Sequence, residues 1–411
     1  MKIVRVIARL NVGGPARHVI WLTSALQNEK FQSDLLTGTV PEGEEDMSWF
    51  ARENGVAPVY IQEMSRELSI KDAVSLWKIY REIRRRKPDI IHTHTAKAGT
   101  VGRAAGFLYR WLTWTTLIGK PRRVKLVHTY HGHVFHSYYG DFKTKIFLFI
   151  EKTLARLATD KIVVITKQQF EEIHGTFRVG RAGQFQIVRL GIDLEPFANA
   201  GEKRGVLRRE IGAGEPEILV GLVGRLTEIK NIGLFLKVAA LYKKRRRIDE
   251  DDDEPRIRFV IVGEGHLRKN LENEVAALDL NDVVIFLGNR SDTDVFYAGL
   301  DIVALTSLNE GTPLSLIEAM ANGRAVISTE VGGVNDLLGA VQVRKDNFKV
   351  CERGVSVASG DAEGFFGGLT YLANDARTRG EMGASGTAFA RENYSKERLV
   401  NDIKKLYESL N

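Results

Sequence analysis

Apolar residues in this chain come in short unbroken runs rather than in strict alternation. IVRVIA (3–8), DIIHTH (89–94), KLVHTYH (125–131) and KIVVIT (161–166) are rich in Val and Ile, and turn residues follow them. That is the pattern of strands covered on both faces of a parallel sheet. Between the runs, stretches such as 18–27 and 70–86 carry apolar residues at helical spacing, and the alternation predicts a doubly wound α/β sheet. The pattern restarts at ILVGLVGR (218–225) and continues through FVIVGEG (259–265), VVIFLG (283–288), DIVALTS (301–307) and AVIST (325–329). A second sheet of similar design is expected.

A chain of 411 residues with 44% apolar content exceeds what one core normally organises, so two domains are expected. VRLGIDLEPF (188–197) holds Gly191 and Pro196 between the two sets of runs, and the hinge is placed there. This gives domains of 1–192 and 193–389. Residues 395–410 have helical spacing at Leu399, Ile403, Leu406 and Leu410, and that spacing suits packing on either domain. KKRRRIDEDDDEPR (243–256) lacks apolar periodicity and reads as a solvated loop between a helix and a strand.

Charge refines the picture. The net charge is +7, with 30 Lys/Arg against 19 Asp/Glu in residues 1–195 and 29 against 33 in 196–411. Residues 78–125 alone hold 13 against 2. Inside this patch Phe107, Tyr109, Trp111, Trp114, Leu117 and Ile118 precede Lys120, Arg122 and Arg123. Apolar and aromatic residues interleaved with cations suit an anionic membrane surface, with Trp111, Trp114, Arg122 and Arg123 in contact. The competing account is a core helix followed by a basic turn. No nucleic-acid motif accompanies the patch, and nucleic acid is not an expected partner. The single cysteine, Cys351, suits a reducing compartment. MKIVRVIARLNVGG reads as a first strand rather than a signal peptide, and no run approaches a spanning length. A cytoplasmic protein, peripheral on the inner face of the cytoplasmic membrane, is expected.

Beside the basic patch, four motifs bear on chemistry. Gly13 and Gly14 follow the first strand, where backbone without side chains and a helix N-terminus can approach a diphosphate; the pair equally suits a tight turn. The spacing departs from G-x-G-x-x-G, which disfavours a nicotinamide enzyme. Arg225 and Lys230 lie just beyond a strand's C-terminal end, where ligands bind in open α/β sheets. Arg forks onto phosphate oxygens and Lys adds a point charge. Glu310, Gly311, Thr312, Pro313 and Leu314 lead into a helix bearing Glu318, with backbone N–H groups around 311–314 turned to the crevice. The two carboxylates suit sugar hydroxyls rather than an acid/base pair, although an acid early in a helix also favours its dipole. Histidines gather at 92, 94, 128, 131, 133 and 136. No supporting carboxylate is evident, so no metal site is expected. Asp292-Thr293-Asp294 reads as a helix cap rather than a metal-binding Asp-x-Asp.

In their order and spacing GGPARHV (13–19), HTHTAKAG (92–99), HTYHGH (128–133), GRLTEIKN (224–231) and the Glu-x7-Glu of 310–318 resemble the retaining GT-B glycosyltransferases of family 4, the group-1 type of bacterial surface polysaccharide synthesis. The resemblance runs nearly end to end. It implies two Rossmann-like domains facing a central cleft, with residues 390–411 packing back on an N-terminal acceptor-side domain and a C-terminal domain binding the nucleotide-sugar. Arg225 and Lys230 would neutralise the donor diphosphate, Glu318 would hold the ribose, and Glu310 with the 311–314 backbone would hold the transferred sugar. His131 would stabilise positive charge at the anomeric carbon, with His133 a weaker candidate. Transfer would be metal-independent, without cofactor, from a nucleotide-sugar, UDP-linked by expectation, to a lipid-linked saccharide. The aromatic insertion near 109–118 departs from the family's expected length. A nucleotide-sugar epimerase of the same architecture and a catalytically silent binding protein are the alternative readings.

Overall fold

The computed structural model describes residues 1–41, 46–64, 71–132, 141–248 and 255–410, which form two compact units, Met1–Gly191 with Lys396–Asn411 and Ile192–Ser395. The first unit holds β1 (Lys2–Arg9), β2 (Gln32–Gly38), β3 (Val59–Tyr60), β4 (Ile90–His94), β5 (Lys125–Thr129), β6 (Lys161–Val164) and β7 (Phe185–Ile187). These pair in the order β3-β2-β1-β4-β5-β6-β7, all parallel. The order reverses between β1 and β4. A doubly wound sheet opens its ligand crevice at the C-terminal ends of the strands flanking such a reversal.

The second unit holds β8 (Ile218–Val223), β9 (Ile257–Val262), β10 (Val284–Gly288), β11 (Ile302–Leu305), β12 (Ala325–Thr329), β13 (Val341–Arg344), β14 (Phe348–Cys351) and β15 (Gly354–Val357). Their order is β10-β9-β8-β11-β12-β15-β14-β13, parallel through β15 and antiparallel at the last two pairings. Here the reversal falls between β8 and β11. Both units are therefore Rossmann-like, and each has its own crevice-forming strand pair.

The runs are apolar because both faces are covered. Ile3, Val4, Val6 and Ile7 of β1 and Leu219, Val220 and Leu222 of β8 are essentially inaccessible. The helix Lys396–Glu408 places Leu399, Ile403, Leu406 and Tyr407 against Ile3, Leu22, Ile90, Val127 and Val163, inside the core of the first unit. Its Arg398 donates to the carbonyl of Arg189.

The structure alters two local readings. Residues 243–248 are not loop but the end of the helix Ile232–Ile248; cations at a helix C-terminus oppose its dipole and extend it, while 249–254 lie outside the described residues. Asp292 does precede the helix Thr293–Gly299, yet makes no side-chain cap bond. Its carboxylate pairs instead with Arg290 at 2.9 and 2.6 Å, which holds it below the usual carboxylate range. Asp294 pairs with Lys203 at 2.5 Å.

Candidate active site

In the second unit the segments after β8 and β11 lie side by side because the strands are paired. Thr306 Oγ1 donates to the Lys230 carbonyl at 2.9 Å and Leu308 N to the Ile229 carbonyl at 2.8 Å. This joins the GRLTEIKN and Glu310 loops. Lys230 Nζ meets Glu310 Oε1 at 2.5 Å, and Ser307 Oγ donates to the same oxygen at 2.6 Å. The two residues assigned to different parts of a donor thus hold each other. Arg225, by contrast, is exposed and makes no side-chain hydrogen bond or ion pair among the described residues.

The backbone of these loops comes close enough to demand glycine. A Cβ at Gly263 would lie 2.0 Å from the Gly224 carbonyl oxygen, and one at Gly265 2.4 Å from that of Leu226. Gly332, at φ +51, would place a Cβ 1.7 Å from the Glu310 carbonyl oxygen. Gly333 N donates to the Gly311 carbonyl at 2.9 Å, so residues 332–333 buttress the Glu310–Leu314 loop from behind. Sequence reading missed Gly263, Gly265 and Gly332. The GEG after β9 and the GG at 332–333 were the available signals.

The helix Leu314–Ala321 begins at Pro313, which offers no side-chain cap, so its first N–H groups remain available to an anion or a sugar hydroxyl. Glu318 lies in the second turn and accepts from Tyr297 Oη at 3.1 Å. Burial, then the Glu318 charge, pushes the Tyr297 hydroxyl well up, so it stays a donor.

In the first unit the helix Gly14–Ala25 starts at Gly13 without a side-chain cap. A Cβ at Gly13 would meet only Pro15 Cδ at 3.8 Å, so its backbone at φ +158, not crowding, is what favours glycine there. Three imidazoles converge at the end of β4, with His94 Nδ1 3.0 Å from His131 Nε2. The His18 ring stands edge-on to those of His131 and His94, with centroids 4.8 and 5.7 Å away. Sequence reading did not single out His18; only its place in GGPARHV hinted at it. His92 stacks on His94 at 4.1 Å and spends both nitrogens, on Tyr407 Oη at 2.5 Å and Thr129 Oγ1 at 2.7 Å.

Burial lowers every imidazole of this group, His131 to about 4 and His18, His92 and His94 well below the usual imidazole range, so all are neutral near pH 7. Two features fix their positions. Thr95, directly after His94, sits at φ +66, costly for a β-branched residue. Tyr130, directly before His131, is buried and donates to Glu151, which also pairs with Arg103 at 2.5 Å. His128 packs against Gly99, where a Cβ would approach its ring to 2.4 Å; this accounts for the glycine of HTHTAKAG. His133 and His136 lie outside the described residues.

The aromatic insertion is not core. Tyr109 is buried, but the helix Ala96–Trp111 then runs out of cover. Trp111 is 42% exposed, Leu112 62%, Trp114 87%, Leu117 79% and Ile118 69%. Arg123 is exposed beside them, whereas Arg122 turns inward, donating to the Tyr109 and Leu112 carbonyls at 2.6 and 3.2 Å over the Tyr109 ring. Arg122 thus braces the excursion rather than presenting its charge. Among the described residues no helix is long and apolar enough to cross a membrane.

A sequence profile of glycosyl transferases group 1 matches residues 203–408, and one of glycosyltransferase family 4 matches residues 12–196. The chain belongs to the group 1, family 4 glycosyltransferases, and its fold is of the GT-B class. It is 28% identical over 347 residues, 82% of each chain, to an Escherichia coli UDP-Gal:α-D-GlcNAc-diphosphoundecaprenol α-1,3-galactosyltransferase. To a Salinispora tropica D-inositol 3-phosphate glycosyltransferase it is 28% identical over 336 residues, 78% of this chain and 63% of the relative. The crystal structure of Anabaena HepE with UDP superimposes with a TM-score of 0.76 over 100% of both chains at 19% identity, a likeness of fold. The protein is therefore an enzyme that transfers sugar from a nucleotide-sugar, which sets aside the epimerase and silent-binder readings.

Proposed function

We propose that this glycosyltransferase moves a sugar from a UDP-linked donor to a lipid-linked saccharide at an anionic membrane surface, with retention of anomeric configuration, in surface polysaccharide synthesis. The observation that carries the acceptor reading is the exposed apolar cap of Trp111, Trp114, Leu117 and Ile118 beside Lys120 and Arg123. Rings and aliphatic side chains in such number on a basic rim suit the boundary between headgroups and acyl chains. The E. coli relative's diphosphoundecaprenol-linked acceptor supports the same reading.

Within this reading the first unit serves the acceptor and the second the donor. Arg225 and Lys230 receive the diphosphate, the uncapped helix N-terminus at Leu314 adds dipole and N–H groups, Glu318 holds the ribose and Glu310 the sugar. Gly13 and Gly14 leave room for phosphate oxygens. The neutral His131 offers a lone pair to positive charge at the anomeric carbon, and preorganised dipoles of this kind supply most of the barrier lowering in such sites. No acid/base carboxylate is required, because the departing diphosphate itself assists attack on the same face.

The test is turnover of a panel of UDP-sugars with a short-chain diphosphoprenyl saccharide in anionic vesicles, the product's anomeric configuration being read by proton NMR. An α-donor giving an α-product in a lipid-dependent reaction is expected, with Arg225→Ala lowering kcat/KM by at least about a hundredfold, the range for losing one transition-state donor. An inverted product, or equal turnover with a lipid-free acceptor, refutes the proposal.

A further inference from the structure

His18, His94 and His131 come from three separate elements: the first helix, the end of β4 and the segment after β5. One nitrogen from each can be chosen so that all lie within 4.8 Å of one another. Both nitrogens of His18, Nε2 of His94 and Nδ1 of His131 are buried without a hydrogen-bond partner. His18 is 98% buried, its exposure being 2%. A neutral imidazole always carries one N–H and one lone pair, and each left unmatched in the interior costs on the order of 1–3 kcal/mol. His92, the fourth ring of the group, shows the contrast, since both of its nitrogens are matched.

We propose that His18, His94 and His131 form a site for one divalent transition-metal ion of the zinc class. Tetrahedral coordination at about 2.0–2.1 Å sets ligand nitrogens roughly 3.3–3.4 Å apart. His94 Nδ1 and His131 Nε2, which hydrogen-bond to each other at 3.0 Å and would give up that bond to the ion, already lie near that edge, and His18, with neither nitrogen matched, supplies the third ligand of the 4.8 Å cluster. Imidazole ligation selects Zn²⁺, Co²⁺, Ni²⁺ or Cu²⁺ over Mg²⁺ and Ca²⁺, which take oxygen. Three neutral ligands and no carboxylate leave the ion's charge uncompensated and the rings without the usual outer partners. The site is therefore exchangeable rather than structural, and keeps an open fourth position. An ion held there occupies the His131 lone pair and so inhibits transfer; this consequence rests on the role assigned above to His131.

The test uses the full chain, stripped with a chelator. Titration of Zn²⁺ against a chromophoric chelator is expected to give one equivalent per chain, unaffected by excess Mg²⁺, and Co²⁺ is expected to give the intense visible bands of a four-coordinate centre. His18→Gln, with melting followed as a check on folding, is expected to weaken binding at least tenfold. Pale octahedral Co²⁺ spectra in the unmodified protein, or binding untouched in a folded His18→Gln/His94→Gln variant, overturns the site. One bound equivalent that leaves turnover unchanged upholds the metal site and overturns the placement of His131 at the donor sugar.

Discussion

At the residue scale the informative feature is the pair Lys230 and Glu310, 2.5 Å apart and each about four-fifths buried or more, with side-chain exposures of 20% and 13%. Under the proposed assignment, a diphosphate at Lys230 would compete with the Glu310 carboxylate and free it toward the sugar. Glu310→Gln removes the competitor and keeps the shape. Free UDP is then expected to bind more tightly, on the order of tenfold or about 1.4 kcal/mol, while turnover falls because the amide holds the sugar less well. Calorimetric titration with UDP beside steady-state kinetics checks both signs; weaker UDP binding contradicts the exchange of partners. Gly332 abuts the backbone of the same residue. Alanine there meets the Glu310 carbonyl at 1.7 Å and at φ +51, so Gly332→Ala is expected to cost about 1–3 kcal/mol in urea denaturation and to raise the donor KM.

At the scale of elements, the turn Trp114–Ile118 buries none of its residues, so its apolar side chains do not stabilise the fold. Replacing Trp114, Leu117 and Ile118 together by Ser is expected to leave melting unchanged, as exposed substitutions usually stay within about 0.5 kcal/mol. The same change removes side chains worth roughly 1.5–3 kcal/mol each when buried in lipid. Co-sedimentation with anionic vesicles is then expected to fall at least a hundredfold, and equal sedimentation refutes the membrane contact. This turn also shows what the sequence could convey. Runs such as IVRVIA and ILVGLVGR announce their strands because both faces are buried. β2, with sequence QSDLLTG, and the antiparallel β13 and β14 are short, half-polar or exposed, and no run marked them. The placement of Arg225 and the Glu310 loop just beyond strand ends was legible because the strands before them are marked by apolar runs. The convergence of His18 with His94 and His131 was not, since His18 and His94 stand 76 positions apart in the sequence. Nor could the inward turn of Arg122 be read from a run of cations, because its partners are backbone carbonyls.

At the scale of the whole molecule each unit has its own core. One cluster runs from Ile218 through Phe259 and Ile327 to Met382, and separate clusters around Val6, Ile3, Ile7 and Tyr130 fill the first unit. Ligand effects can therefore be assigned to one unit at a time. The side chains proposed to bind a nucleoside diphosphate, Arg225, Lys230, Glu310 and Glu318, belong to the second unit, and the glycines proposed to make room for its phosphates, Gly13 and Gly14, to the first. A ligand that binds only the folded state stabilises it by mass action, by about 2.7 kcal/mol at a hundredfold excess over Kd. UDP is expected to raise melting by several degrees and to slow amide exchange at 224–231 and 306–318, more than GDP, ADP or TDP does. Protection at the ends of β8 and β11 identifies the crevice between them as the diphosphate site. Protection confined to the first unit would transfer that role to Gly13 and Gly14 and leave the Lys230–Glu310 pair a structural tie.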